Sequence, residues 1–310
     1  MHTAYITHQE CLLHDMGEHH PECPARLHAI EDRMLAAQLM ALLRHYEAPR
    51  ATRADLLLAH ESRYIDYLFA RAPQAGQAAV RLDPDTWLTA NTLDAAMRAV
   101  GATILGVDLV MHGEVETAFC AVRPPGHHAE RAKAMGFCFF NNIAIAAAHA
   151  LTNHGLERVA ILDFDAHHGN GTEDIFLDDP RVLLCSSFQD PFYPYTPLAD
   201  RPHIIHSKLR DGAYSEEFQQ AVNEQWLPAI DNFKPQLILI SAGFDAHFED
   251  DMSGLNLLDT DFAWVTARIM DLAARHCDKR VVSALEGGYA IDALGRSAAA
   301  HIKVLMGLHQ

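Results

Sequence analysis

Arg158-Val159-Ala160-Ile161-Leu162-Asp163-Phe164-Asp165-Ala166-His167-His168-Gly169-Asn170 is the stretch whose reading decides the fold. Residues 159–164 are a short apolar run, fit for one buried strand, that passes directly into acids and histidines and then a glycine turn. Side chains alternate along a strand, so Asp163, Asp165 and His167 are expected to leave on the same side. Open α/β sheets carry their sites at the carboxyl ends of strands. Two carboxylates and an imidazole there point to a metal ion.

Strand alternates with helix on either side of this run. Strands are expected at 5–7, 116–122, 182–188, 237–242 and 281–285. Helices are expected from Pro24, with Leu27, Ile30, Met34 and Leu35 as the apolar face, then over 56–70, from Asn91 or Thr92, from Asn141 or Asn142 to about Asn153, and over 215–232, 259–276 and 291–308. Residues 81–86 and 189–202 read as loops, and Pro73-Gln74-Ala75-Gly76 as a helix break. Such alternation implies an α/β fold with one mostly parallel central sheet and helices on both faces. Four of the strands run into Gly126-His127-His128, Asp163-x-Asp165-x-His167-His168, Gly243-Phe244-Asp245 and Gly287-Gly288-Tyr289. In a parallel sheet those four loops open on one edge and meet at one site.

With 310 residues, 49% of them hydrophobic, and no seam in composition, a single domain over 1–310 is expected. The formal charge of -17, from 41 acidic against 24 basic residues, argues against a nucleic-acid-binding face. It favours cationic substrates such as lysine side chains or polyamines, though acidity also simply keeps a protein soluble. The six cysteines, without a C-x-x-C pair, read as reduced thiols. The first residues lack a signal-peptide pattern and no stretch reaches ~18 apolar residues, so a cytoplasmic protein with no membrane partner is expected.

Asp165, His167 and Asp245 form a three-ligand set that leaves coordination positions open, as catalytic zinc sites do. Fe(II), Co(II) and Mn(II) also suit two carboxylates and one imidazole. The tandem His127-His128 reads as a base and its protonated neighbour beside a metal-activated water. Asp163 is placed to raise a histidine's basicity, and Asn170 to tune one more weakly. Tyr289 follows two glycines that let it approach a substrate carbonyl and steady an oxyanion. Phe137, after Gly136, and Tyr193 are candidate walls of a narrow channel. The histidine-rich loop after residue 7 is open to two readings, a solvated connector or part of the site, for His8, His14 and His19 alike.

Assembled, these motifs resemble the histone deacetylase family, and within it the bacterial class II-like histone deacetylase-like amidohydrolases. The residues that carry the resemblance are His20-Pro21-Glu22-x-Pro24-x-Arg26, Arg123-Pro124-Pro125-Gly126-His127-His128, Gly136-Phe137-Cys138-Phe139-Phe140-Asn141-Asn142, Asp163-x-Asp165-x-His167-His168-Gly169-Asn170-Gly171-Thr172, Ser241-Ala242-Gly243-Phe244-Asp245 and Glu286-Gly287-Gly288-Tyr289. They run in the family's order along nearly the whole chain. The resemblance implies an arginase-like fold and a zinc hydrolase that removes acetyl or other acyl groups from acylated lysine or a related amine. It makes Asp165, His167 and Asp245 the Zn(II) ligands, His128 the general base and acid, His127 its electrostatic partner and Tyr289 the carbonyl-polarising phenol. Asp163 then orients His127 and Asn170 orients His128.

Arg26 would line the cavity through which the acid leaves. Structural K+ or Na+ is implied at Asp163, Asp165, His167 and Ser186, and again around Phe176, Asp179 and Val182. Tyr193-Pro194-Tyr195-Thr196-Pro197 and Glu249-Asp250-Asp251-Met252 depart from the family pattern at the channel mouth. Met252 stands where polyamine-selective members place a glutamate, which counts against an acetylpolyamine amidohydrolase, while the acidic run beside it still favours a cation. A binuclear ureohydrolase needs more bridging carboxylates than Gly169 allows, and a non-catalytic acyl-lysine binder would have no use for Tyr289 and both histidines. A homo-oligomer is compatible with the sequence.

Overall fold

Ten strands follow one another along the computed structural model, which describes residues 2–308: β1 (Thr3–Thr7), β2 (Arg44–Glu47), β3 (Val80–Asp83), β4 (Thr86–Leu88), β5 (Thr117–Cys120), β6 (Val159–Asp163), β7 (Val182–Gln189), β8 (Ile204–Leu209), β9 (Leu237–Ala242) and β10 (Val281–Leu285). Met1 and the last two residues of the expected 1–310 domain lie outside the described residues. Eight strands form one sheet in the order β2-β1-β5-β10-β9-β6-β7-β8, and every pairing in it is parallel. The inner strands are buried along their whole length, and they read as near-continuous apolar runs because helices cover both faces.

Alternation along the strands sorts side chains between the two layers. Thr3 and Thr117 Oγ1 both donate to the Leu305 carbonyl, at 3.3 and 3.0 Å, and Ser283 Oγ lies 2.8 Å from His301 Nε2, all on the Ile291–Leu305 helix. Ala118, Cys120 and Val282 face the other way, onto Gly106 of the Thr92–Met111 helix. A methyl at Gly106 would lie 2.8 Å from Val282 Cγ1, so glycine sets how closely that helix approaches the sheet. The expected single α/β domain with helices on both faces is borne out, with a main sheet parallel throughout.

Several local expectations are corrected. β2 and β8 are edge strands not foreseen, and β3 and β4 pair as an antiparallel hairpin where a loop was expected at 81–86. The helix expected over 56–70 is two helices, Arg53–Leu56 and Ser62–Arg71. The break between them has a tertiary cause: Glu61 N donates to the Arg131 carbonyl, and His60 Nε2 accepts from Asn141 N at 2.9 Å. Leu35 is 56% exposed, so the apolar face of the Ala25–Ala36 helix is carried by Leu27, Ile30 and Met34. The final helix stops at Leu305.

Candidate active site

β6 ends at Asp163, one residue short of the expected strand, so pleat alternation is not what gathers the site residues that follow. Two side-chain turns do this instead. Asp163 Oδ1 accepts from Asp165 N at 3.1 Å, and Asp165 Oδ1 accepts from His167 N at 2.9 Å. Each acid thereby satisfies the backbone two residues on and winds the chain back over the sheet edge.

Asp165, His167 and Asp245 are buried, and their ligating atoms all lie within 4.8 Å of one another. His167 Nδ1 sits 3.1 Å from Asp165 Oδ1 and 3.0 Å from Asp245 Oδ2. Its Nε2 is 3.1 Å from the Met252 carbonyl, which can only accept, so that nitrogen carries a proton. A neutral His167 would then aim a bare lone pair at two carboxylates. A cation is needed between them. Without a metal, hydrogen bonds to Asp165 and Asp245 overcome burial and hold a proton there, raising His167 to about 10. A divalent ion removes the need for that proton, and a carbonyl behind the distal ring nitrogen is the usual support of a metal-bound histidine.

The remaining carboxylate oxygens are also fixed. Asp165 Oδ2 accepts from Gly287 N at 2.8 Å and Asp245 Oδ1 from Ala166 N at 2.8 Å. Burial and the Asp165 charge push Asp245 up to about 6, while Asp165 is held well below the usual carboxylate range because His127 and His167 outweigh its burial. A methyl on Gly287 would come within 2.3 Å of Asp245 Oδ2 and 2.6 Å of Asp165 Oδ2, so only glycine lets the last strand close over the pair.

The tandem histidines have different surroundings. Their rings lie 4.0 Å apart. His127 Nδ1 meets Asp163 Oδ2 at 2.9 Å; burial opposes its charge, but the Asp165 and Asp163 carboxylates raise it well above its ordinary value. His128 Nδ1 meets Asn170 Oδ1 at 2.8 Å, and Asn170 Nδ2 donates to Glu130 Oε1 at 2.8 Å, which fixes which way the amide faces. His128 therefore carries its proton on Nδ1 and keeps Nε2 free to accept. Burial, reinforced by His127 and His167, lowers its pKa well below its ordinary value. One imidazole is built to stay charged and its neighbour to stay neutral.

A cavity of about 200 Å³ opens over these groups, lined by Gly136, Phe137, Tyr193, Met252 and Tyr289 with His128 and His167 at its base. Phe137 meets the Tyr289 ring edge-on at 5.8 Å, and Tyr193 meets His128 edge-on at 5.2 Å. Burial raises the Tyr289 phenol well above its ordinary pKa despite the opposing Arg26 charge, so it remains a donor. Buried Arg26 lies over the Tyr289 ring at 4.8 Å, donates to the Gly288 carbonyl at 2.6 Å and also bonds the Glu286 carbonyl. Glu22 pairs with both Arg26 and Arg123 and has its Oε2 3.3 Å from His14 Nε2, which places buried His14 beside this network; His19 stays exposed.

Three contributors were not singled out from sequence. Phe192 stacks on His167 at 5.4 Å and lines the cavity, and Asp85 places a carboxylate on the same wall. Both stood in runs already read as loop, where no periodicity ranks one residue above the next. Asp250 belongs to the acidic run near Met252, yet it is buried and spent inward: its Oδ2 accepts from Tyr289 N and Ala290 N, at 2.6 and 2.8 Å, and its Oδ1 from Met252 N. Glu249 is engaged by Arg296. The acid facing the cavity is Asp85. Of the implied structural-cation residues, Asp163 and Ser186 are register partners on β6 and β7, and Phe176, Asp179 and Val182 are linked by successive backbone hydrogen bonds.

The histone deacetylase domain model matches residues 20–305. A histone deacetylase-like amidohydrolase of Pseudomonas aeruginosa is 34% identical over 93% of this chain and 81% of its own. The polyamine deacetylase HDAC10 of Mus musculus is 33% identical over 99% of this chain, which spans 48% of that protein. The crystal structure of the HDA15 HD domain superposes with a TM-score of 0.93 over 99% of this chain and 89% of that one, at 31% identity.

Proposed function

Because this chain belongs to the histone deacetylase family, we propose that it is a zinc-dependent amidohydrolase that removes acetyl or other acyl groups from acylated lysine side chains or related amines. The observation that carries the reading is the conjunction in one cavity of a three-donor metal set, a neutral histidine and a protonated phenol. Asp165, Asp245 and His167 through Nδ1 would hold the metal. When bound, it supplies a Lewis acid that polarises the acyl carbonyl and acidifies water.

The side chains supply the rest. His128 takes a proton from the attacking water on Nε2 and returns it to the leaving amine. His127, charged and tied to Asp163, faces the developing negative charge, and Tyr289 donates a hydrogen bond to the acyl oxygen as it becomes an oxyanion. Gly136, Phe137, Phe192 and Tyr193 enclose an unbranched alkyl chain and exclude water. Arg26 borders the route by which the acid leaves, and K+ or Na+ at the two implied sites would brace β6 and β7. A cytoplasmic setting fits this chemistry, and no helix among the described residues is long and apolar enough to cross a membrane.

Release of a fluorophore from an acetyl- or trifluoroacetyl-lysine peptide tests the reading. Turnover that is blocked by a hydroxamate and lost on chelation is expected; zinc-loaded protein that hydrolyses neither acyl-lysine nor acyl-amine would refute it. A second reading, an acetylpolyamine amidohydrolase, is favoured by the Asp85 carboxylate on the cavity wall and by the likeness to a polyamine deacetylase. Parallel assays with acetylputrescine and acetylspermidine separate the two, and a strong preference for peptide removes the polyamine reading.

A further inference from the structure

The Thr92–Met111 and Asn142–Asn153 helices lead into β5 and β6, so their carboxyl ends lie at the edge of the sheet opposite the cavity. His112 and His154 follow as their respective caps, with rings 5.5 Å apart. His149, one turn back on the second helix, has its ring 5.4 Å from that of His154. Between the helices, Asp108 Oδ1 lies 2.7 Å from Nε2 of His149 and 2.7 Å from Nε2 of His154.

This carboxylate is poorly placed for a helix on its own. Asp108 sits in the last turn, where the helix dipole is negative and an acid is disfavoured, and neither helix has a basic residue in its last turn. Two converging helix ends and a carboxylate make a local demand for positive charge that only imidazoles or a bound cation meet. His149 Nδ1 is buried with no hydrogen-bond partner, so nothing behind the ring fixes its tautomer; Nε2 donates to Asp108 when no metal is bound, and presents its lone pair once a cation takes the place of that proton. The ligating atoms of Asp108, His149 and His154 lie within 4.8 Å of one another.

We propose that Asp108, His149 and His154 form a second transition-metal site, suited to Zn(II), that staples the carboxyl ends of these two helices. Two imidazoles and a carboxylate are ordinary zinc donors, with bonds of roughly 2.0–2.2 Å that set donor atoms about 3.3 Å apart in a tetrahedron. From the present 2.7 Å each imidazole has to withdraw by roughly 0.6 Å, a small side-chain rotation. Asp108 is 36% exposed, which gives the ion a way in and water a place in the coordination shell. Exposed His112 stands next to His154 and is the available fourth donor.

Chelator-stripped full-length protein titrated with Zn(II) against a chromophoric competitor tests the proposal. Wild type is expected to take up two equivalents. His154→Ala should take up one, with acyl-lysine hydrolysis within twofold of wild type, and Asp165→Ala should also keep one, now at the far edge. Loss of all uptake by Asp165→Ala, or uptake by His154→Ala equal to that of wild type, overturns the site and leaves a hydrogen-bonded His-Asp-His cluster, whereas a single equivalent that wild type and Asp165→Ala share and His154→Ala lacks would count against the cavity ion alone. Neither result depends on what the cavity hydrolyses.

Discussion

The division of labour between His127 and His128 shows how single atoms set a site's chemistry. A carboxylate behind one ring and an amide behind the other leave the first charged and the second neutral. Tyr289 completes the arrangement, and Tyr289→Phe keeps the ring that packs on Phe137 and Arg26 while deleting the donor. Loss of one oxyanion donor lowers kcat by about 10²–10³ with KM little changed, which steady-state kinetics on a fluorogenic acyl-lysine would show. Asp85 acts differently, through charge on the cavity wall. Asp85→Asn is expected to raise KM for acetylspermidine by about threefold to tenfold at low ionic strength, with a smaller effect on a neutral acyl-lysine peptide and a loss of the difference at high salt. Equal effects on both substrates would mean that Asp85 shapes the wall without attracting the amine.

Between residue and fold, each loop at the sheet's carboxyl edge delivers a fixed share of the site, and the β10 loop has the tightest tolerances. Gly287→Ala places a methyl against the carboxylates of Asp165 and Asp245, so if these hold the proposed zinc the variant should fold but bind one fewer zinc per chain, with activity at background. Glu22 ties the Ala25–Ala36 helix to the loop after β5 through Arg26 and Arg123. Glu22→Gln leaves two buried guanidinium groups undercompensated, a loss of roughly 3–5 kcal/mol that urea unfolding would register. The motifs that build these loops were readable from the chain, because glycines, paired acids and tandem histidines have few structural uses in common. What hides is set by distant partners. Nothing near Asp250 says that its carboxylate bonds the amides of Tyr289 and Ala290, and the break at 57–61 depends on groups near residues 131 and 141. Edge strands β2 and β8 have mixed polar sequences because they pair on one side only, which erased the pattern that revealed the inner strands.

For the molecule as a whole, acid response is a balance of buried groups. His301 lies between Thr266 and Ser283 under the sheet, and burial lowers it to about 3. The unfolded chain binds a proton near 6.5, so the stability His301 contributes is complete above that pH and is lost as pH falls toward 3. Glu286, raised by burial from its ordinary 4.5 to about 7, contributes with the opposite sign between those values, a range that overlaps that of His301, so the measurement is a difference between proteins. Between pH 6.5 and 4 the unfolding free energy of wild type should fall more steeply than that of His301→Gln, by about 1.4 kcal/mol per pH unit. The sheet order also bears on how the protein is made. β10 leaves the ribosome after the other nine strands, yet its place is in the middle, between β5 and β9. Without it no strand pairing joins β2-β1-β5 to β9-β6-β7-β8. Gly287 and Tyr289, which close the cavity, follow directly on this same last strand, so one late segment both joins the two halves of the sheet and completes the site, and a chain truncated before residue 281 is expected to show no turnover.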